Sequence, residues 1–208
     1  INEKSNKDFY KKLNMKWANF LHIYQPADQQ PDILEAIVAQ CYRPLITHIA
    51  NSKDIKITLN LTGALIELFD KHGYRDLIEL LKKSGEEGKI EFTSSAKYHG
   101  FLPLLTAQDI KRQIVANDET MTRFLGKKAY KPKGFFPPEM GYDKSIIPVI
   151  EEMGFEWIIL DEISGYGEPG KIDYNKIYKI KDSKLKVFFR ERRLSNLIMS
   201  AVVRSKET

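Results

Sequence analysis

A chain of 208 residues, 42% hydrophobic and 29% charged, can bury a sizeable core and reads as one globular domain or a piece of one. Its net charge of +5 is scattered, and no basic run carries interleaved aromatics, so a nucleic-acid partner is not expected. The single cysteine, Cys41, excludes an internal disulfide and a Cys-rich metal cluster; no apolar run is long enough for a membrane span, and the expected location is cytoplasmic.

Residues 1–14 are polar and rich in Lys and Asn, and are expected to be an appendage, with Met15 as the natural start. From residue 15 onward the pattern alternates between strands and helices. Lys16–Tyr24 reads as a buried strand stopped by Gln25-Pro26. Pro31–Asn51 reads as a helix that buries Ile33, Ile37, Cys41, Leu45 and Ile49. Ile55–Leu61 alternates as a second strand. A helix from Thr62 or Gly63 is broken at Gly73, and a further helix covers Tyr74–Glu87. Lys89–Ser95 is a third strand. Thr106–Leu125 is a long amphipathic helix, with Thr106 and Asp109 spaced as a capping box. Gly134–Phe136 is a fourth strand, Lys144–Met153 a helix and Trp157–Leu160 a fifth strand. Tyr178–Ile180 and Val187–Arg190 suit a short hairpin, and Leu194–Val203 begins another helix.

Repeated strand–helix–strand units imply parallel strands with right-handed crossovers, either in an open doubly wound sheet or in part of a barrel. No dinucleotide fingerprint, P-loop or Gly-x-Ser-x-Gly elbow is present, which favours the barrel. The strand count falls short of closure, so the expectation is an incomplete domain over residues 15–208.

The strand tips carry the chemistry, because sites in such folds are built at the carboxyl ends of strands. In Gly134-Phe135-Phe136-Pro137-Pro138-Glu139 the prolines end sheet pairing and leave Glu139 on a stiff support just past the tip. Glu139 is then either a charge favouring the next helix or a positioned catalytic carboxylate, with Met140 and Tyr142 beside it. Strand one ends in His22-Ile23-Tyr24-Gln25-Pro26. Strand two ends in Asn60 and Thr62, which could touch ligand or cap a helix. Strand three runs into Tyr98-His99-Gly100-Phe101, whose rings suit stacking on a sugar, and strand five ends in Asp161-Glu162. His22, His99, Glu139 and Asp161 lack the close spacing of metal ligands, so a metal is not expected.

At these residues the chain resembles glycoside hydrolase family 57, the retaining α-glucan-active enzymes. The family's His-x-His-Gln-Pro motif stands here as His22-Ile23-Tyr24-Gln25-Pro26, with Tyr24 replacing the second His. A Tyr-His-x-x-x-Pro-Leu-like segment stands as Tyr98-His99-Gly100-Phe101-Leu102-Pro103-Leu104, and the nucleophile segment as Gly134 to Glu139. The resemblance implies an α/β fold of TIM-like (β/α)₇ type, incomplete at its C-terminal end. It implies Glu139 as nucleophile, no cofactor, and an α-glucan or maltooligosaccharide as partner. Substrate contacts would come from His22, Tyr24, Gln25, Tyr98, His99, Met140 and Asp161. The family's general acid, an Asp in a later motif, has no match before Thr208; Asp161 and Glu162 are the candidates that the residues themselves offer.

Two further readings follow from that gap. One is a truncated, non-catalytic carbohydrate-binding barrel remnant. The other, a metal-dependent deacetylase on a related barrel, would need an Asp and a closely spaced His pair, which the sequence does not have. An open barrel would also expose an unpaired edge, which allows a homo-oligomer.

Overall fold

The computed structural model describes residues 17–204, so the expectation for residues 1–14 lies outside the described residues. The strands are β1 (Phe20–Ile23), β2 (Ile57–Leu61), β3 (Ile90–Thr93), β4 (Gly134–Phe135), β5 (Trp157–Asp161), β6 (Tyr178–Lys179) and β7 (Lys186–Arg190). β1, β2 and β3 pair in that order, all parallel. β4, β5 and β7 are also parallel, and β6 lies antiparallel on the outer edge of β7. The hairpin read from the sequence is therefore present, with its second strand also paired to β5.

One parallel bridge, Ser94 to Phe135, joins the two sheets. Across it the Ser94 N–H donates to the Gly134 carbonyl at 3.0 Å, and the Phe136 N–H donates to the Ser94 carbonyl at 2.9 Å. The Ser95 hydroxyl adds a 2.7 Å bond to the Phe136 carbonyl. Gly134 is needed at this seam, because a Cβ there would stand 2.1 Å from the Trp157 ring on β5.

Helices α1 (Pro31–Ile37), α2 (Arg43–Asn51), α3 (Gly63–Lys71) and α4 (Arg75–Glu86) precede β3. Between α1 and α2 the chain continues through a π-helical turn, Val38–Tyr42. The buried face is Leu34, Val38, Tyr42, Ile46 and Ile49, one position on from the expected set at most steps, and Ile33 and Cys41 are exposed. Steps of four residues overshoot an α-helical turn, and the wider π turn absorbs the drift, so the face stays on the core.

The long helix α5 (Ala107–Ala129) is capped as expected, the Thr106 hydroxyl accepting the Asp109 N–H at 3.2 Å. Helical geometry is interrupted at Gly126 (φ 77°), one residue beyond the expected end. The expected helix over Lys144–Met153 is a 3₁₀ turn, Lys144–Ile146, leading into α6 (Ile147–Glu152), capped by the Asp143 carboxylate. A single helical turn α7 (Ile163–Tyr166) follows β5, and α8 (Arg192–Arg204) follows β7.

The apolar residues form two cores. One packs β1–β3 against α1–α4, with Leu59, Leu61, Phe69, Leu77 and Leu81 fully buried. The other packs β4, β5 and β7 against α6 around Phe135, Ile150, Ile158 and Leu185. α5 contributes to both, Met121 and Leu125 to the first and Ile110 and Ile114 to the second.

Candidate active site

The first sheet carries a polar row across its strands. His22 on β1 is in register with Asn60 on β2, and Asn60 with Thr93 on β3. In-register residues of neighbouring strands share a face, so the three side chains stand side by side. His22 Nδ1 lies 2.8 Å from the Asn60 side-chain oxygen, and Asn60 Nδ2 donates to Thr93 Oγ1 at 3.0 Å. Asn60 and Thr93 are fully buried. Thr62, the other polar residue at this tip, accepts the Leu65 N–H as the cap of α3.

His99 reaches the row from the loop after β3. Its Nε2 lies 3.0 Å from His22 Nε2. The ring planes are 25° apart and their centroids 4.9 Å apart. Tyr24 stacks on the face of His99 at 4.3 Å, and Phe136 packs 4.8 Å from His22.

His99 has φ 56°, a left-handed conformation that its N–H supports by bonding the Ala96 carbonyl at 3.2 Å. Its loop is pinned from behind. Lys97, nearly buried, gives its ammonium to Glu67 and Thr120 at 3.0 Å each, and Gln113 of α5 accepts the Tyr98 N–H.

Glu139 enters from the second sheet. Buried Pro137 and Pro138 lead from β4 into a 3₁₀ turn in which Glu139 (φ 56°) and Met140 (φ 52°) are both left-handed. Such residues cost about 1–3 kcal/mol each and persist only where their surroundings hold them. Here the Met140 and Gly141 N–H groups bond the Pro137 and Pro138 carbonyls at 2.8 and 3.0 Å. Gly141 lies directly under the Phe101 ring, which a Cβ would meet at 2.4 Å. The Glu139 carboxylate is 75% exposed, and its Oε1 lies 3.8 Å from His99 Nδ1.

Both histidines are held below their ordinary pKa. Burial is the main cause for each; the His22 charge adds to it at His99, while Glu139 opposes it at both, and the Asn60 hydrogen bond also opposes it at His22. His22 nonetheless keeps solvent-accessible surface. At neutral pH the pair is uncharged beside an open carboxylate.

His22, Tyr24, His99 and Glu139 thus converge. Gln25 instead donates to the Tyr42 hydroxyl at 2.9 Å, away from the two histidines. Tyr98 is half exposed under the Lys97 ammonium, and Met140 is half-buried beside Glu139. Asp161 ends β5 and accepts the Ile163 N–H at 3.1 Å and Arg192 Nη1 at 3.5 Å. Glu162 is buried and accepts the Gly170 N–H at 2.8 Å; with burial, it raises the Tyr174 hydroxyl to about 12. Among the described residues no three His, Cys, Asp or Glu side chains form a metal-binding group. None of the described helices is long and apolar enough to cross a membrane.

Sequence reasoning had not seen Phe136 as a wall of the site, nor Arg192 as the partner of Asp161. Strand alternation could have suggested the first; no local pattern announces the second.

Known proteins share this arrangement of elements. Alpha-amylase 1 of Dictyoglomus thermophilum is 27% identical over 143 residues, covering 68% of this chain and 20% of that protein. The crystal structure of 4-alpha-glucanotransferase from Thermococcus litoralis superposes with a TM-score of 0.75 at 20% identity, over 87% of this chain and 28% of that one. The branching enzyme TK1436 of Thermococcus kodakaraensis, crystallised with glucose, gives 0.69 at 21% identity over 89% and 49%. These superpositions establish a shared fold. The chain spans about a fifth of the length of the curated relatives it matches. The sequence profile of glycosyl hydrolase family 57 matches residues 2–199, and the chain belongs to that family.

Proposed function

We propose that this chain forms the nucleophile-bearing part of a retaining enzyme acting on α-glucans, within an incomplete (β/α)₇ barrel spanning residues 15–208. The observation that carries the reading is Glu139, an open carboxylate held in a left-handed turn beyond β4 and beside His99 and His22. The sequential order of parallel strands β1 to β5 supports a barrel wall. Amylase and glucanotransferase relatives support the substrate class.

In this mechanism Glu139 attacks the anomeric carbon, and the bond to the leaving oxygen breaks as a second carboxyl about 5–5.5 Å away protonates that oxygen. The glycosyl–Glu139 ester is then released to water, giving hydrolysis, or to a sugar hydroxyl, giving transfer. Tyr24 offers a ring face to the sugar, and His22 and His99 offer nitrogens to its hydroxyls, with Gln25, Tyr98, Met140 and Asp161 as outer contacts.

The second reading, carbohydrate binding without turnover, is favoured by Asp161, whose carboxylate is engaged by Arg192 and the Ile163 N–H. An activated fluorinated α-glucosyl donor separates the two. The enzyme acquires a covalent adduct on the peptide containing Glu139, and Glu139→Gln abolishes both the adduct and maltooligosaccharide cleavage. Maltooligosaccharide binding with no adduct on any peptide selects the binding module.

A further inference from the structure

We propose that Asn60 is a positioning residue of this site: through the His22–His99 hydrogen bond it fixes the tautomer of both imidazoles, leaving His99 Nδ1 as the one atom of the pair that can take up a proton, facing Glu139. The argument is a chain of donors and acceptors. Asn60 is oriented with Nδ2 donating to Thr93 Oγ1 and its oxygen on His22 Nδ1, so that nitrogen carries a hydrogen. Neutral His22 then has a bare Nε2. The 3.0 Å contact to His99 Nε2 holds only if His99 supplies the hydrogen from that nitrogen. Neutral His99 in turn has a bare Nδ1, and that nitrogen lies 3.8 Å from the Glu139 carboxylate.

A proton arriving at the pair has one place to go. On His22 Nε2 it would meet the His99 N–H head on and break the bond between the rings. On His99 Nδ1 it preserves every hydrogen bond and places an imidazolium beside Glu139. The other group packed on His99 is the stacked Tyr24 ring; with His22 and Glu139 it completes the titratable surroundings. Asn60 is fully buried and in register with His22, so it acts only through that ring.

The catalytic consequence rests on the reading of Glu139 as nucleophile: protonated His99 would pair with the carboxylate and quench it, so His99 would set the acid limb of the pH profile. The tautomer claim does not depend on that reading and is measured without substrate. The chain has four histidines, and His48 and His72 serve as internal references in ¹⁵N-resolved imidazole spectra. The expected result is His22 protonated on Nδ1 and His99 on Nε2 at neutral pH, with His99 Nδ1 gaining the proton first on acidification.

Asn60→Leu removes the acceptor and should release His22 to the Nε2–H form, while Asn60→Asp keeps an acceptor and should keep the tautomer. Under the proposal the acid limb of kcat moves in Asn60→Leu and shifts to lower pH in His99→Gln. An Nε2–H form of His22 in the unsubstituted protein overturns the proposal, and so does His22 protonating before His99. Unchanged tautomers in a folded Asn60→Leu protein do the same. Should Asn60→Leu fail to fold, the spectra of the unsubstituted protein and of Asn60→Asp still decide it. Correct tautomers with no covalent adduct on the peptide containing Glu139 would count against the nucleophile reading alone.

Discussion

The two sheets are built from the same strand–helix grammar, yet they are finished differently. Around β1–β3 each crossover carries full helices, and the strands read Leu59, Leu61, Ile90 and Phe92 straight into a closed core. Around β5–β7 the crossover is one helical turn, a long loop and an antiparallel edge strand, and large apolar side chains stay exposed: Tyr166, Ile177, Phe188, Leu197 and Met199. The site lies where the two meet. His22 and Asn60 belong to the well-packed sheet, His99 to the loop leaving it, and Glu139 to the other. A finished half can hold the hydrogen-bonded row rigidly, while the carboxylate stands on a strained turn of the less covered half.

Truncation tests that contrast most sharply. Leu59→Ala, at a fully buried position on β2, should cost about 2–5 kcal/mol in denaturant unfolding, because the cavity cannot collapse against strands on both sides. A cost below 1 kcal/mol would mean that the first core relaxes around the deletion.

The seam comes next. Gly134→Ala drives a methyl into the Trp157 ring, and overpacking of this kind costs about 1–3 kcal/mol. Because Glu139 follows five residues later, the same change should weaken substrate turnover more than Leu59→Ala does at matched stability. Equal effects on turnover would separate the seam from the site.

A buried charge behind the seam gives a pH test. Asp118 of α5 accepts hydrogen bonds from Ser94, Tyr130 and Asn117, yet burial outweighs them and its carboxyl is held above the usual 3.8. A raised carboxyl favours the folded state while protonated, so its contribution is full below about pH 3.8 and is lost as pH rises through the folded value. Asp118→Asn should therefore gain stability relative to the unsubstituted protein across that rise, by about 1.4 kcal/mol per unit of displacement. A difference independent of pH would show that the hydrogen bonds, and not the charge, govern this position.

The smallest effect belongs to the open half. Phe188→Ala, at a side chain 42% exposed on β7, should change stability by about 0.5 kcal/mol or less. A loss comparable with that at Leu59 would mean that Phe188 is covered in solution.

Much of the fold was legible because strand alternation, the Thr106 cap and the Gly73 break are local signals, and each stands where the residues put it. Glu139 was legible for a related reason, since two prolines and a glycine leave the chain few options. The helical face before Asn51 was not, because a π turn shifts which residues meet the core and leaves no mark in the apolar spacing. Within the site, Gln25 and Tyr98 neighbour the converging residues in sequence, but their side chains bond Tyr42 and flank Lys97. The row His22–Asn60–Thr93 depends on the register of three separated strands, which no local pattern sets.

α5 lies across both cores and also reaches the seam through Asp118 and the His99 loop through Gln113. Neither core can open without uncovering one end of that helix, so the two are bound into one cooperative unit for sub-global unfolding. Amide protons along its middle, between Ile114 and Met121, should then exchange only through global opening, whereas those of β6 and the outer face of β7 exchange through local fraying. The residues that hold the histidines in place would share the slowest clock in the molecule.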